Sequence, residues 1–317
     1  ADKNTIRFEL LRALFNNTNR TFVDEINGSL TIVPLANGDS VLYPGGKDYI
    51  YAACDLGCAS AANWATERVF SSDGTAIFDV SDQHTPQHYF ALDPQGRPRF
   101  VYQDRNYGIE PDHYGAFYAW CDAGCTDANN WQQTQVGRWI VGTGNYEIFH
   151  NTSLTFTKDG RPRLAADVIA MNEDGSEAPN GIYYYGCDAN CDQTSGWQRV
   201  FLIPRGGGSY PHPSWDLELD ANNRPRIVVF TGDGLSPAEF NHRLLYLWCN
   251  AACLNADSWF YAPIGAQGDG ESADLELDAQ GHPRAVWISE DGELGYAACD
   301  VACESDNGQW RIKTLET

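Results

Sequence analysis

Three things are scarce in this 317-residue chain: methionine, basic charge and long apolar runs. There is one methionine, and no 18 consecutive apolar residues occur, so no helix is expected to span a bilayer. Lys and Arg number 21 against 43 Asp and Glu, a formal charge of −22. A chain this acidic should be repelled by nucleic acid and by anionic membranes. The chain also lacks a G-x-S-x-G elbow, an H-E-x-x-H helix and a phosphate loop, which removes three specific enzyme chemistries. It opens ADKNT with no basic–apolar leader, which suits a mature protein whose leader was removed.

What is abundant points to strands and tight turns. Gly (30), Tyr (16), Phe (14) and Trp (10) are all frequent, as in aromatic-rich β-proteins punctuated by glycine. The ten cysteines fall into five pairs of one spacing: Cys54/Cys58, Cys121/Cys125, Cys187/Cys191, Cys249/Cys253 and Cys299/Cys303. Tyr51, Tyr118, Tyr184, Tyr246 and Tyr296 each lie three residues before a pair. Asp or Asn follows each first cysteine, and Trp64, Trp131, Trp197, Trp259 and Trp310 follow each second one. The unit reads Y-x-x-C-[DN]-x-x-C-x(5,6)-W.

A second element precedes each unit. It is clear in DPQGRPRFVY (93–102), TKDGRPRLAA (157–166), DANNRPRIVV (220–229) and DAQGHPRAVW (278–287), and worn in PLANGDSVLY (34–43). An alternating run before it predicts a strand with two unlike faces. The Gly or Asn predicts a turn residue at positive φ, and the Pro predicts a strand start. Each repeat therefore holds four short strands, A to D, and five such repeats predict five blades of a β-propeller.

This arrangement weighs on the cysteines. Zinc knuckles must converge on one ion, whereas blades fan out around an axis. A redox pair has a shorter spacing and needs no five copies. One local disulfide per blade fits best, and it implies an oxidising compartment: secreted, periplasmic or cell-surface.

With these repeats the chain resembles the five-bladed β-propellers of bacterial extracellular type. The resemblance implies an all-β fold with four antiparallel strands per blade and a single propeller domain over 28–317. The sialidase box S-x-D-x-G-x-T-W and the W-D signature are absent. Five-bladed propellers include glycosidases, lectins and calcium-dependent nucleotidases, so the fold leaves function open. Residues 1–27 stand outside the repeat. There TIRFELL reads as a strand closing the ring, an extra outer strand or a short helix. A ring closed within one chain, with an acidic surface, predicts a monomer.

The A–B turns and the disulfide loops share one predicted face. The opposite face carries the irregular segments, where function usually lives. Blades 2, 3 and 4 have long B–C loops (103–115, 171–181, 231–243), and blades 1 and 5 have short ones. This asymmetry predicts one site over blades 2 to 4. The D–A segments there bring histidines toward the channel: His84 or His88, His150 and His212, with Glu271 at the position of His150 in blade 5. Two readings stay open for them, a functional cluster or hydrogen bonds between blades.

As a site, the cluster could hold one divalent ion, calcium or a transition metal, the latter through His84, His88, His150 and His212. It could also work by acid–base chemistry through His150, His212, Glu271 and Glu147. Glu110, Glu239 and Asp269 are further carboxylates for a pair cleaving a glycosidic bond. Tyr107, Trp139, Tyr146 and Tyr210 could stack on sugar rings, and His88, Arg105, His113, His242 and Arg243 could bind their substituents. The leading expectation is a secreted enzyme acting on an extracellular glycan, a hydrolase or a lyase that would use His or Tyr as base with an Arg to neutralise a uronate; the charge of −22 favours neutral glycans unless the rim is locally positive. The alternatives are a carbohydrate-binding lectin and a metal-dependent hydrolase or oxidase.

Overall fold

The structure, a computed structural model, describes residues 31–34, 39–45, 48–54, 56, 60–71, 89–105, 114–137, 139–140, 145–171, 180–204, 215–231, 241–265, 271–289, 292–305 and 308–316. They form five antiparallel sheets, one per repeat. Blade 1 is β1 (Thr31–Pro34), β2 (Asp39–Gly45), β3 (Asp48–Cys54) and β4 (Ala65–Ser71). Blade 2 is β5 (Phe90–Leu92), β6 (Pro98–Arg105), β7 (Tyr114–Cys121) and β8 (Trp131–Gln135). Blade 3 has five strands: β9 (Trp139–Ile140), β10 (Asn145–Phe156), β11 (Pro162–Met171), β12 (Gly181–Cys187) and β13 (Trp197–Pro204). Blade 4 is β14 (Trp215–Leu219), β15 (Pro225–Phe230), β16 (Leu244–Cys249) and β17 (Trp259–Ile264). Blade 5 is β18 (Glu271–Leu277), β19 (Pro283–Ile288), β20 (Leu294–Cys299) and β21 (Trp310–Glu316). This is the expected all-β propeller, and no described helix is long and apolar enough to cross a membrane.

The turn chemistry is as the sequence predicts. Gly96, Gly160, Asn223 and Gly281 have φ of 74°, 85°, 61° and 81°, and each following Pro opens its B strand. In blades 2 to 5 the residue that follows the A strand holds the turn. Asp220 Oδ1 accepts from the backbone N–H groups of Asn222 (2.8 Å) and Arg224 (2.9 Å). Asp93 and Asp278 do the same in their blades, and in blade 3 the Thr157 hydroxyl accepts from Arg161.

The second arginine of each R-P-R binds this turn to the disulfide loop. Arg226 Nη1 donates to the carbonyls of Pro225 (2.9 Å) and Cys249 (3.0 Å), and Nη2 reaches Asp220 (3.2 Å) and Asn250 (3.0 Å). Arg99 links Asp93 to Asp122, and Arg284 links Asp278 to Asp300, in the same way. Arg163 reaches Asp188. Blade 4 has Asn250 where the others have Asp, and Glu304 of the blade 5 loop supplies the missing charge, 2.6 Å from Arg226 Nη2. These contacts place the turns and the disulfide loops on one face.

The disulfides Cys121–Cys125, Cys187–Cys191, Cys249–Cys253 and Cys299–Cys303 are formed. Cys54 is also disulfide-bonded, and Cys58 lies outside the described residues. The indole N–H of Trp131, Trp197 and Trp259 donates to the carbonyl of the second cysteine of its own loop, at 2.9, 3.1 and 2.8 Å. The blade 5 loop is one residue longer, and there Trp310 Nε1 is buried with no partner.

Between blades, the repeated Tyr and Trp meet. Tyr51 packs on Trp131, Tyr118 on Trp197, Tyr184 on Trp259 and Tyr246 on Trp310, with ring centroids 5.4, 5.1, 5.1 and 5.3 Å apart. The motif therefore sets the register of blades 1 to 5 in succession. Each such aromatic contact adds about 0.5–1.5 kcal/mol beyond area burial.

Candidate functional site

Blade 3 breaks the repeat. Among the described residues its β10 has 12 residues, against 3 to 7 in the innermost strands of the other blades. The stretch Asn145–Phe149, paired with Val168–Met171, carries the open end of the β10–β11 pair about 16 Å beyond the regular blade, at roughly 3.3 Å per residue. β9 pairs with the start of β10, placing Trp139 opposite Tyr146. The extension lies on the face away from the disulfides, because A strands begin there.

A β-bulge sits where the extension joins the blade. Phe149 pairs with Val168 and Thr152 with Ala166, so His150 and Asn151 together oppose Asp167. Bulges re-aim side chains and gather near active sites. Asp167 is fully buried, and burying a carboxylate is costly unless it is paired or protonated. β18 has a similar bulge after Glu271, which pairs with Ile288. The bulge thus brings two residue types into register: the expected His150 and Asp167, which the sequence reading passed over.

Glu147 sits deeper than a rim carboxylate. It is buried, with Oε1 2.7 Å from Arg199 Nη1. Arg199 also donates to the Tyr185 hydroxyl (3.3 Å) and lies over the Tyr183 ring, 4.7 Å from its centroid. Burial opposes the Arg199 charge, but Tyr185 and Glu147 outweigh it and raise its pKa. Burial pushes the Tyr185 hydroxyl up. Glu147 is therefore paired within blade 3.

The other expected residues divide. Arg105 ends β6, opposite Tyr114. His242 is half-buried at φ 52°, its ring 6.4 Å from Phe230. Arg243 begins the return into β16. Its backbone exchanges hydrogen bonds with Thr231, and its Nε is buried without a partner. His84, His88, Tyr107, Glu110, His113, Tyr210, His212, Glu239 and Asp269 lie outside the described residues.

Two acidic groups lie elsewhere. Asp216 and Glu218 of β14 neighbour Asp274 and Glu276 of β18. Asp216 accepts from Ser153 Oγ (2.8 Å) in blade 3 and from Leu275 N (3.2 Å) in blade 5, so it joins three blades. Burial, with Asp216, Glu276 and Asp274 nearby, pushes Glu218 up to about 8. Asp278, His282 and Asp300 form a group with metal-ligand geometry. Arg284 Nη2 already stands 2.6 Å from both of its carboxylates, so a guanidinium fills the cation position.

No family model matches the chain, and no curated protein matches it. Solved structures do. The polysaccharide lyase Uly1 is similar over 90% of this chain and 72% of its own, at 11% identity and a TM-score of 0.53. A fungal lectin from Aleuria aurantia, described as a six-bladed β-propeller with a novel fucose recognition mode, is similar over 92% of this chain and 79% of its own, at 11% identity and a TM-score of 0.50. At these identities the likeness establishes the propeller fold.

Proposed function

We propose that the chain is a secreted, glycan-cleaving enzyme of lyase type, with a single site at the extended end of β10 and β11 on the face opposite the disulfides. The observation that carries this reading is the bulge that sets His150 opposite the buried Asp167, in the blade whose innermost strand is the longest among the described residues. A binding protein with equivalent sites in every blade has no use for such asymmetry.

Lyase chemistry needs fewer parts than hydrolysis. A base takes the proton from the carbon beside a uronate carboxylate, and the C–O bond to the next sugar breaks. A carbon–carbon double bond forms, and the leaving oxygen takes a proton. His150 suits the base, and Asp167 suits the group that orients it. Arg243, whose Nε has no partner, suits the cation that neutralises the carboxylate. A hydrolase needs two free carboxylates, and Glu147 is committed to Arg199. The likeness to a polysaccharide lyase adds support. A divalent ion held by His150 and His212 would take the imidazole lone pair that a base needs, so it belongs instead to a metal-dependent enzyme, and elemental analysis of the purified protein checks it.

The second reading is a sugar-binding lectin, favoured by the likeness to the Aleuria aurantia protein. A panel of uronate-containing and neutral polysaccharides separates the cases. A lyase yields reducing ends together with an ultraviolet-absorbing unsaturated product. A hydrolase yields reducing ends alone, and a lectin yields retention on the polysaccharide with neither.

A further inference from the structure

Three polar side chains face the seam between blades 3 and 4, at the end away from the disulfide loops. Ala165 of blade 3 packs across this seam in one cluster with Trp215, Val229 and Leu245 of blade 4. Asp167 lies two residues beyond Ala165 and so on the same face of β11. Arg243 lies two residues before Leu245, on the side of blade 4 that Leu245 turns to blade 3. β11 lies against β14, which Trp215 opens. Two of the three are donors without an acceptor. Trp215 is 2% exposed, and its indole Nε1 is buried with no hydrogen-bond partner, as is Arg243 Nε. A buried N–H left unpaired is costly and calls for an explanation.

The seam between blades 4 and 5 lacks all three. By strand register, Phe230 of blade 4 stands where Asp167 stands in blade 3, and Ala273 of blade 5 stands where Trp215 stands in blade 4. Both are fully buried in one apolar cluster. Glu293 stands where Arg243 does, because the same closing turn holds each. Thr231 N donates to the Arg243 carbonyl (3.0 Å), and Ser289 N to the Glu293 carbonyl (2.8 Å). Blades therefore pack without this polar set, and scaffolding does not account for it.

We propose that Trp215 Nε1 and Arg243 Nε together hold the carboxylate of an acidic sugar in this seam, and that Trp215 thereby selects a uronate over a neutral sugar. The proposal rests on the lyase reading above and adds a second donor to its substrate site. The spacing fits. Trp215 and Arg243 stand two strands apart, about 10 Å, and two residues apart along the strands, about 7 Å. Two long side chains bridge that separation to one carboxylate over Val229, which pairs with both Trp215 and Leu245. A carboxylate offers an oxygen to each N–H. Asp167 on the facing blade is the reason one cation does not suffice. A second anion near it shares the Arg243 charge, and an uncharged donor such as an indole N–H supplies the remaining hydrogen bond.

The test is calorimetric binding to the full chain carrying His150→Ala, so that turnover does not intervene. Trisaccharides of glucuronate, galacturonate and mannuronate are each compared with their methyl esters, which keep the shape and lose the charge. At least one acid should bind about ten-fold or more tightly than its ester. Adding Trp215→Phe, which keeps an aromatic ring and loses the donor, should weaken that acid by about five-fold or more and leave the ester within about two-fold. No acid preference in any pair, equal weakening of acid and ester, or no weakening at all overturns the proposal. If Trp215→Phe does not fold, benzothienylalanine at position 215, with sulfur in place of the N–H, takes its place under the same criteria. Failure of the lyase reading looks different: Trp215-dependent acid binding persists, but the parent protein releases no unsaturated product from the matching polysaccharide.

Discussion

Tyr184 of blade 3 meets Trp259 of blade 4 edge to face, the ring centroids 5.1 Å apart and the planes at 61°. The same Trp259 donates its indole N–H to the Cys253 carbonyl, 2.8 Å away. One side chain therefore fixes its own disulfide loop and holds the neighbouring blade. Trp310 does only the second, because its longer loop leaves Nε1 unbonded.

This difference makes a prediction. Replacing Trp by Phe keeps most of the ring contact and removes the donor. Trp259→Phe should cost about 1 kcal/mol more than Trp310→Phe, the usual net value of one hydrogen bond. Urea denaturation of the two variants checks this. Equal losses would show that the loop bond contributes nothing.

Arg226 is 2% exposed and joins the blade 4 turn, its disulfide loop and Glu304 of blade 5. Removing one partner of a buried ionic group costs about 3–5 kcal/mol. Arg226→Ala should lose that much stability, and Arg226→Lys should recover little of it, because an ammonium cannot reproduce the forked geometry. Arg163 has Thr157 where blades 2, 4 and 5 have an aspartate, so Arg163→Ala should cost less. Thermal unfolding of the three variants gives the order.

Much of this scaffold was legible in the sequence because it recurs. The turn glycines, strand-opening prolines and cysteine pairs stand in register, and repetition separates them from chance. Partnerships between repeats were harder to see. Nothing local in the sequence shows that the Asp after each first cysteine receives the second arginine of R-P-R, or that Tyr and Trp meet across blades rather than within one. The site was less legible still. Asp167 lies in the apolar run LAADVIAM, and only its burial opposite a bulge marks it. Glu147 looked like a rim carboxylate because its partner Arg199 is 52 residues away and reaches it through the folding of blade 3.

Glu218 gives a pH prediction. Its folded pKa, about 8, lies above the ordinary carboxylate value. Its contribution is therefore fully present below the unfolded value, near 4.3, and is lost as pH rises toward 8. Between pH 5 and 8 the unfolding free energy of the wild type should fall relative to Glu218→Gln, by about 2–5 kcal/mol in total. Parallel pH-resolved urea titrations measure the difference. A constant gap between the two proteins would refute the assignment.

The disulfide loops are short, so each crosslink should contribute near the lower end of the usual range, about 2 kcal/mol. Cys249→Ser with Cys253→Ser should lower the unfolding free energy by that amount while leaving the face opposite the loops intact. Calorimetry gives the first value, and binding or turnover on a glycan gives the second. A loss of activity at temperatures where the variant stays folded would argue that the two faces are coupled.

The central claim is that the blade 3 bulge is the working site. The direct measurement is the rate of unsaturated-product release from a uronate polysaccharide by wild type, His150→Ala and Asp167→Asn, each with its thermal midpoint. The account predicts that His150→Ala loses at least about 100-fold in rate, as expected for a general base, with the midpoint nearly unchanged. It predicts that Asp167→Asn loses less and shifts the pH–rate profile. A His150→Ala protein that is folded and turns over at the wild-type rate would contradict it.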